Sequence, residues 1–205
     1  MPRPCCRGCG LPRPLATDLA GSFAGRCARC VMEPPEIAAV IPAVVYDAAA
    51  RRLLLKAKEG GWPELFRPLA TQVVVALAAA RPRPVALAIV PVPSHPLRSF
   101  RRGFAPADEL ARHLARETGL PVRHPIRHRW ARARPQKARG LRERLAVAGE
   151  RFHGSGPAPQ GPVLLVDDVM TSGATVHACA RLLASMGSCE VSVAVWARAL
   201  LGGMG

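Results

Sequence analysis

Val163-Leu164-Leu165-Val166-Asp167-Asp168-Val169-Met170-Thr171-Ser172-Gly173-Ala174-Thr175 concentrates the residue types best suited to chemistry. The four apolar residues predict a buried strand that delivers two adjacent carboxylates to the carboxyl edge of a sheet, where open α/β sheets bind ligands. Small residues follow, and then a helix begins. Such a loop lets backbone N–H groups close on a phosphate. The hydroxyls of Thr171, Ser172 and Thr175 add donors, and the helix N-terminus favours negative charge. Asp167 and Asp168, about four residues upstream, would then accept hydrogen bonds from the hydroxyls of a sugar carried by that phosphate. The other reading of the acidic pair is a helix cap or a bare Mg²⁺ site like that of a Walker B strand. The chain contains no G-x4-G-K-[ST] element to complete a nucleoside-triphosphatase.

A second segment, Pro91-Val92-Pro93-Ser94-His95-Pro96-Leu97-Arg98-Ser99-Phe100-Arg101-Arg102-Gly103-Phe104, follows another apolar run and so reaches the same sheet edge. It reads as a proline-stiffened loop. The guanidinium groups of Arg98, Arg101 and Arg102 suit a pyrophosphate, which they can grip by paired hydrogen bonds. Taken alone, the segment also reads as a solvated basic loop.

Cys6-Arg7-Gly8-Cys9 and Cys27-Ala28-Arg29-Cys30 form two C-x2-C pairs separated by seventeen residues. That spacing reads as a zinc site, the alternative being reduced thiols without metal. Gly8 and Gly10 allow the tight turns that bring thiolates onto a tetrahedral ion. Four thiolates fill the coordination shell, which makes the ion structural. Cys5 is a weaker substitute for Cys6, because C-x3-C fits the turn less well, and Cys179 and Cys189 stand apart. A segment of some 35 residues is too short to build its own core, consistent with metal-assisted folding.

The elements that must position these residues begin after Pro34-Pro35, which sets a boundary between residues 1–35, the double-CxxC knuckle, and 36–205. Ala38 to Tyr46 predicts a strand interrupted by Pro42, Arg51 to Lys58 a short helix, and Glu64 to Ala80 a longer one. Val85 to Val92 predicts a strand buried on two faces. Pro106 to Arg116 predicts a helix, with Ala107, Leu110, Ala111, Leu114 and Ala115 on one face and Gly119 and Pro121 as its stop. The Arg-rich stretch from Arg123 to Arg151 has no clean apolar period and reads as a solvated loop or a lid. Val163 to Val166, Val176 to Met186 and Val191 to Val195 predict strand, helix and strand. That alternation is the signature of a parallel α/β sheet with flanking helices.

Composition narrows the field. With 49% hydrophobic residues the 205-residue chain has material for one ordinary core, and no apolar run approaches the ~18 residues of a membrane helix, so no membrane insertion is expected. The N-terminus lacks a secretory apolar stretch, which makes a reducing cytoplasm the expected compartment. The formal charge of +15 is almost entirely Arg, since Lys56, Lys58 and Lys137 are the only lysines. It favours a phosphorylated ligand or nucleic acid, whereas 4% aromatic residues supply a base-stacking surface poorly.

The thirteen-residue acidic-pair segment resembles the ribose-phosphate signature of type I phosphoribosyltransferases. The paired CxxC knuckles, Tyr46, Lys58-Glu59-Gly60-Gly61, PVPSHPLRSFRRGFA, Arg134-Pro135-Gln136 and VLLVDDVMTSGAT stand in the order seen in ComF family proteins, over nearly the whole chain. That resemblance implies a phosphoribosyltransferase-like domain behind a zinc knuckle, with phosphoribosyl pyrophosphate as ligand and Mg²⁺ accompanying it. Asp167 and Asp168 would hold the ribose, and Thr171, Ser172, Gly173, Ala174 and Thr175 the 5-phosphate. Arg98, Arg101, Arg102 and Lys58 would hold the pyrophosphate, and Arg127 to Gln136 would form the closing loop. The implied reaction transfers the phosphoribosyl group and releases pyrophosphate. The alternative is a non-catalytic ribose-phosphate-binding adaptor in competence or DNA uptake that contacts single-stranded DNA or DNA-processing partners. Ala105-Pro106 stand where family members often carry Asn-Gln, which leaves the acceptor open.

Overall fold

The computed structural model describes residues 5–12, 25–81, 83–129 and 151–200. Four parallel strands form the central sheet in the order β1 (Ala39–Val45), β6 (Glu190–Arg198), β5 (Pro162–Met170), β2 (Ala88–Pro91). Because all four run the same way, every strand's carboxyl end reaches one edge of the sheet. The elements leaving that edge are α2 (Ala48–Glu59) after β1, α4 (Pro96–Arg102) after β2, and α6 (Ala174–Ser185) after β5.

Alternation along the strands builds two cores. Leu164 and Val166 face Leu54 of α2, Phe66 and Val73 of α3 (Phe66–Ala79), and Leu110 and Leu114 of α5 (Pro106–Thr118). Val163 and Leu165 face the other way, with Val176, Cys179 and Leu183 of α6. That second core also holds Ile126 and Phe152 from an antiparallel pair, β3 (Ile126–His128) and β4 (Phe152–Gly154). Both faces are covered, which explains strands without a polar side.

Several boundaries differ from the sequence expectation for local reasons. The α2 helix begins at Ala48, before Arg51, because the Asp47 carboxylate accepts from the Ala50 amide at 2.8 Å and caps it. The Glu64–Ala80 prediction divides into a 3₁₀ turn at Pro63–Leu65 and α3 from Phe66, with Pro68 inside the first turn. The expected Arg-bearing loop is partly the helix α4, opened by Pro96 and closed by Gly103 in the left-handed region at φ +78°. β5 and β6 each continue past their apolar runs, to Met170 and Arg198, so the acidic pair lies within the strand rather than beyond it. Within the Arg-rich stretch, β3 is a strand; the remainder from 130 to 150, including Arg134-Pro135-Gln136, lies outside the described residues.

The cysteine segments dock on the β1 edge of the sheet, with Cys30 on the short helix α1 (Ala28–Met32). The Val40 amide donates to the Arg7 carbonyl at 2.7 Å. Gly10 sits at φ +70°, where an added Cβ would lie 2.7 Å from Val40 Cγ1. Only glycine satisfies both the turn and this close approach.

Candidate functional site

Consecutive strand residues leave the backbone on opposite faces, so Asp167 and Asp168 reach the strand end from the two sides of β5. Asp168 is buried and points toward α2, where Lys58 in the last turn closes an ion pair on its Oδ2. Asp167 accepts a hydrogen bond from the Asp168 amide at 2.9 Å. Burial first, and then the neighbouring Asp168 charge, push the Asp167 carboxyl well above the ordinary carboxylate range, with Lys58 pulling the other way. Two carboxylates and one ammonium thus meet at the strand end, a set that can accept hydrogen bonds from vicinal hydroxyls while balancing charge.

The loop beyond Met170 turns through Gly173 at φ +83° and enters α6 at Ala174. A Cβ on Gly173 would lie 2.6 Å from Met170 Cε and 3.3 Å from His177 Cδ2, so glycine is required here. Ser172 Oγ accepts from the Ala174 amide at 3.4 Å. The first amides of α6 have no intrahelical partner by construction, and Thr171, Ser172 and Thr175 bring hydroxyls to the same turn. A phosphate monoester fits this combination of donors and positive helix end.

The pyrophosphate candidates arrive on α4. Pro91 pairs with Val166, and the Val92 amide donates to the Val166 carbonyl at 2.8 Å, so the loop departs one residue short of Asp167. Arg98 and Arg101 are exposed and Arg102 is half-buried. The structure therefore brings Lys58, the acidic pair, the small-residue loop and the α4 arginines to one sheet edge, with Lys58 on the acidic pair itself.

The four sulfur atoms of Cys6, Cys9, Cys27 and Cys30 lie within 4.8 Å of one another, with Cys9 and Cys27 sulfurs 3.9 Å apart. A tetrahedron with Zn–S bonds of ~2.3 Å has edges of ~3.8 Å, so the donor set fits a structural Zn²⁺. The Cys27 amide donates to Cys6 Sγ at 3.1 Å. The Cys9 thiol and then that amide hold Cys6 down to about 4 against its burial, while burial and the Cys6 charge push Cys30 up to about 12. A divalent cation would relieve this crowding of negative charge. Cys179 is buried against the sheet and its thiol is pushed up by that burial; Cys189 is exposed, and neither joins the cluster.

One further residue at this edge belongs to none of the sequence motifs. Arg198, at the end of β6, is 3% exposed and donates only to backbone carbonyls among its hydrogen bonds in the described residues. Its position after the apolar run Val191–Trp196 was the available cue: an arginine closing a buried strand must find acceptors.

Residues 100–201 match the phosphoribosyl transferase domain family, and together with the parallel sheet and its carboxyl-edge acidic pair they define a phosphoribosyltransferase-domain protein. The chain is similar to the ComF/YhgH proteins, with a four-cysteine cluster ahead of that domain. It is 29% identical to Competence protein F of Haemophilus influenzae over 189 residues, covering 86% of this chain and 80% of that protein. DNA utilization protein YhgH of Salmonella typhi is 29% identical over 191 residues, covering 92% and 81%. YhgH of Escherichia coli K12 is 28% identical over 192 residues, with the same coverage of 92% and 81%. Among solved structures, Leishmania donovani UMP synthase is similar over 71% of this chain, at 20% identity and a TM-score of 0.38. An allosteric regulatory enzyme of purine biosynthesis is similar over 63%, at 20% identity and a TM-score of 0.42. This chain spans 24% and 25% of those two longer chains. No helix among the described residues is long and apolar enough to cross a membrane.

Proposed function

We propose that the chain binds phosphoribosyl pyrophosphate with Mg²⁺ at the carboxyl edge of the sheet and transfers the phosphoribosyl group to an acceptor, releasing pyrophosphate in the cytoplasm. The observation that carries this reading is the order of groups leaving β5: Asp167 and Asp168 inside the strand, then the Thr171–Thr175 loop opening α6. In this reading Asp167 and Asp168 accept the ribose hydroxyls and the loop holds the 5-phosphate. Lys58, Arg98, Arg101 and Arg102 hold the pyrophosphate. Residues 1–35 act as the zinc knuckle and 36–205 as the transferase unit. Mg²⁺, when bound with the substrate, supplies charge neutralisation on the leaving group.

The C1–O bond to pyrophosphate breaks with its electron pair leaving on pyrophosphate. The acceptor's lone pair forms the new bond at C1, and the acceptor's proton passes to solvent. The Asp168 carboxylate beside the ribose favours the positive charge that develops on the sugar, and cations on α2 and α4 favour the departing anion. No protein nucleophile is needed.

A second reading is a ribose-phosphate-binding adaptor that contacts single-stranded DNA. One observation favours it: Phe100 is 87% exposed on the helix that carries Arg98, Arg101 and Arg102, an aromatic face among cations that suits base stacking beside phosphates. The names Competence protein F and DNA utilization protein, borne by the relatives, agree with a role in DNA handling.

Calorimetry with phosphoribosyl pyrophosphate and Mg²⁺, followed by a pyrophosphate-release assay across bases and amines, tests the two. The expected result is binding in wild type, its loss in the Asp167→Asn/Asp168→Asn double variant, and acceptor-dependent release. Binding without release for any acceptor favours the adaptor. Equal affinity in wild type and double variant overturns the site.

A further inference from the structure

Arg198 joins the cysteine knuckle and the start of the small-residue loop to the end of its own strand. Its Nε donates to the Cys9 carbonyl at 2.7 Å, and its Nη1 donates to the carbonyls of Met170 at 2.9 Å, Thr171, and Ala199 at 2.7 Å. Cys9 belongs to the metal-fitting cluster, Met170 and Thr171 open the small-residue loop, and Ala199 is its own neighbour. A 410 Å³ cleft lies between knuckle and loop, with Cys9, Arg29, Ser172, His177 and Arg198 among its walls. The Arg198 guanidinium reaches both sides of that cleft.

The guanidinium is planar and rigid, so carbonyls that share it are fixed relative to one another. On one side, the Cys9 carbonyl moves with the turn that carries the Cys6 and Cys9 thiols. That turn is held by the Cys6 amide on the Leu11 carbonyl at 2.8 Å and the Gly10 amide on the Cys6 carbonyl at 2.7 Å. On the other side, the Thr171 carbonyl belongs to the peptide that leads into Ser172 and Gly173. Tyr46 and Ala199 anchor the strand end itself, through Tyr46 N–H to the Arg198 carbonyl at 2.9 Å and Ala199 N–H to the Met170 carbonyl at 3.0 Å. The backbone of Arg198 is therefore fixed, and its side chain is the link able to carry a displacement from knuckle to loop.

We propose that Arg198 is a positioning residue that fastens the Met170–Thr171 backbone to the four-cysteine knuckle, so that zinc in the knuckle orders the loop assigned above to the 5-phosphate. The ligand consequence rests on that assignment; the ordering of the loop does not. Linkage then makes the effect reciprocal, zinc strengthening ligand binding by the factor that ligand strengthens zinc binding.

The test is hydrogen exchange by mass spectrometry on the full chain, comparing the segment 169–176 with the strand core 163–166. Zinc-loaded and chelator-stripped wild type are run beside Arg198→Met and Arg198→Lys, which keeps charge but not the planar fork. Removing zinc should speed exchange of 169–176 by a factor in the ~5–150-fold range of allosteric couplings, with 163–166 unchanged. Zinc-loaded Arg198→Met and Arg198→Lys should each exchange near the stripped wild-type rate while retaining one zinc. Wild-type loop exchange that is the same with and without zinc overturns the proposal without any variant. So does equal acceleration at 163–166, which would mean that metal holds the whole sheet, or an arginine variant with wild-type loop protection. Titration of phosphoribosyl pyrophosphate into loaded and stripped wild type adds the ligand arm. Exchange that responds to zinc in a protein that binds no phosphoribosyl pyrophosphate supports the link through Arg198 and sinks the ligand assignment.

Discussion

Lys58 closes an ion pair on Asp168 from the last turn of α2, across the edge at which both β1 and β5 end. The pair joins the helix after the outermost strand to the strand that carries the acidic segment, and both side chains are mostly buried. Removing one partner strands a charge in a poorly solvated place. Lys58→Met and Asp168→Asn should therefore each destabilise, with a coupling of about 1–3 kcal/mol in a double-mutant cycle. Urea unfolding of wild type, both singles and the double measures it. Additivity would show that the pair contributes nothing to the fold.

Asp167 gives a pH signature of opposite sign to that of a salt-bridged carboxylate. Burial and the Asp168 charge raise its native value well above the unfolded one of ~3.9, so the native state holds a proton that the unfolded chain releases. Stability is then lost as pH rises from about 4 through the native value, by at most ~1.4 kcal/mol per pH unit. Asp167→Asn removes the titration. Its urea midpoint should gain on wild type progressively as pH rises from about 4 through the native value of Asp167. A difference between the two proteins that is flat with pH would refute the assignment.

What the sequence shows and what it hides follow from the kind of interaction involved. The α5 helix is legible because Leu110, Ala111 and Leu114 recur on a buried face and Gly119, at φ +73°, ends it. The convergence of Cys6, Cys9, Cys27 and Cys30 is legible because the spacing itself sets the turns. The α4 helix is not, since its seven residues bury no side chain and so leave no apolar period. The extension of β5 through Asp167 and Asp168 is hidden because alternation breaks where the residues turn polar, although the backbone ladder to β6 continues. Arg198 is hidden for a different reason: its partners are carbonyls, which every residue carries, and the pairing spans 189 positions to Cys9.

The cluster predicts one zinc per chain, measurable by elemental analysis of protein purified without chelator. Cys30→Ser should lose the metal, because a closed thiolate shell tolerates no missing ligand at a site too small to fold alone. Cys179→Ala and Cys189→Ala should keep it, since both lie outside the cluster. Metal retained in Cys30→Ser, or absent from wild type, would dismiss the knuckle as a zinc site.

Gly173 and Gly119 both adopt left-handed backbone, at φ +83° and +73°, but they differ in what a Cβ would meet. At Gly119 there is nothing within 4 Å, so Gly119→Ala costs only the conformational term, ~1–2 kcal/mol. At Gly173 the same term is joined by overlap with Met170 Cε and close contact with His177, and Met170 is 2% exposed within the α6-side core. Its methyl group has little room to retreat. Gly173→Ala must therefore move the turn that opens α6 and, with it, the donors assigned to the 5-phosphate. The expected outcome is a fall of about tenfold or more in affinity for phosphoribosyl pyrophosphate, equivalent to ~1.4 kcal/mol, while Gly119→Ala binds as wild type despite its conformational cost. Calorimetry of the two variants at matched zinc and Mg²⁺ separates local from global damage. Equal affinities in both would place the phosphate elsewhere than on the Thr171–Thr175 loop.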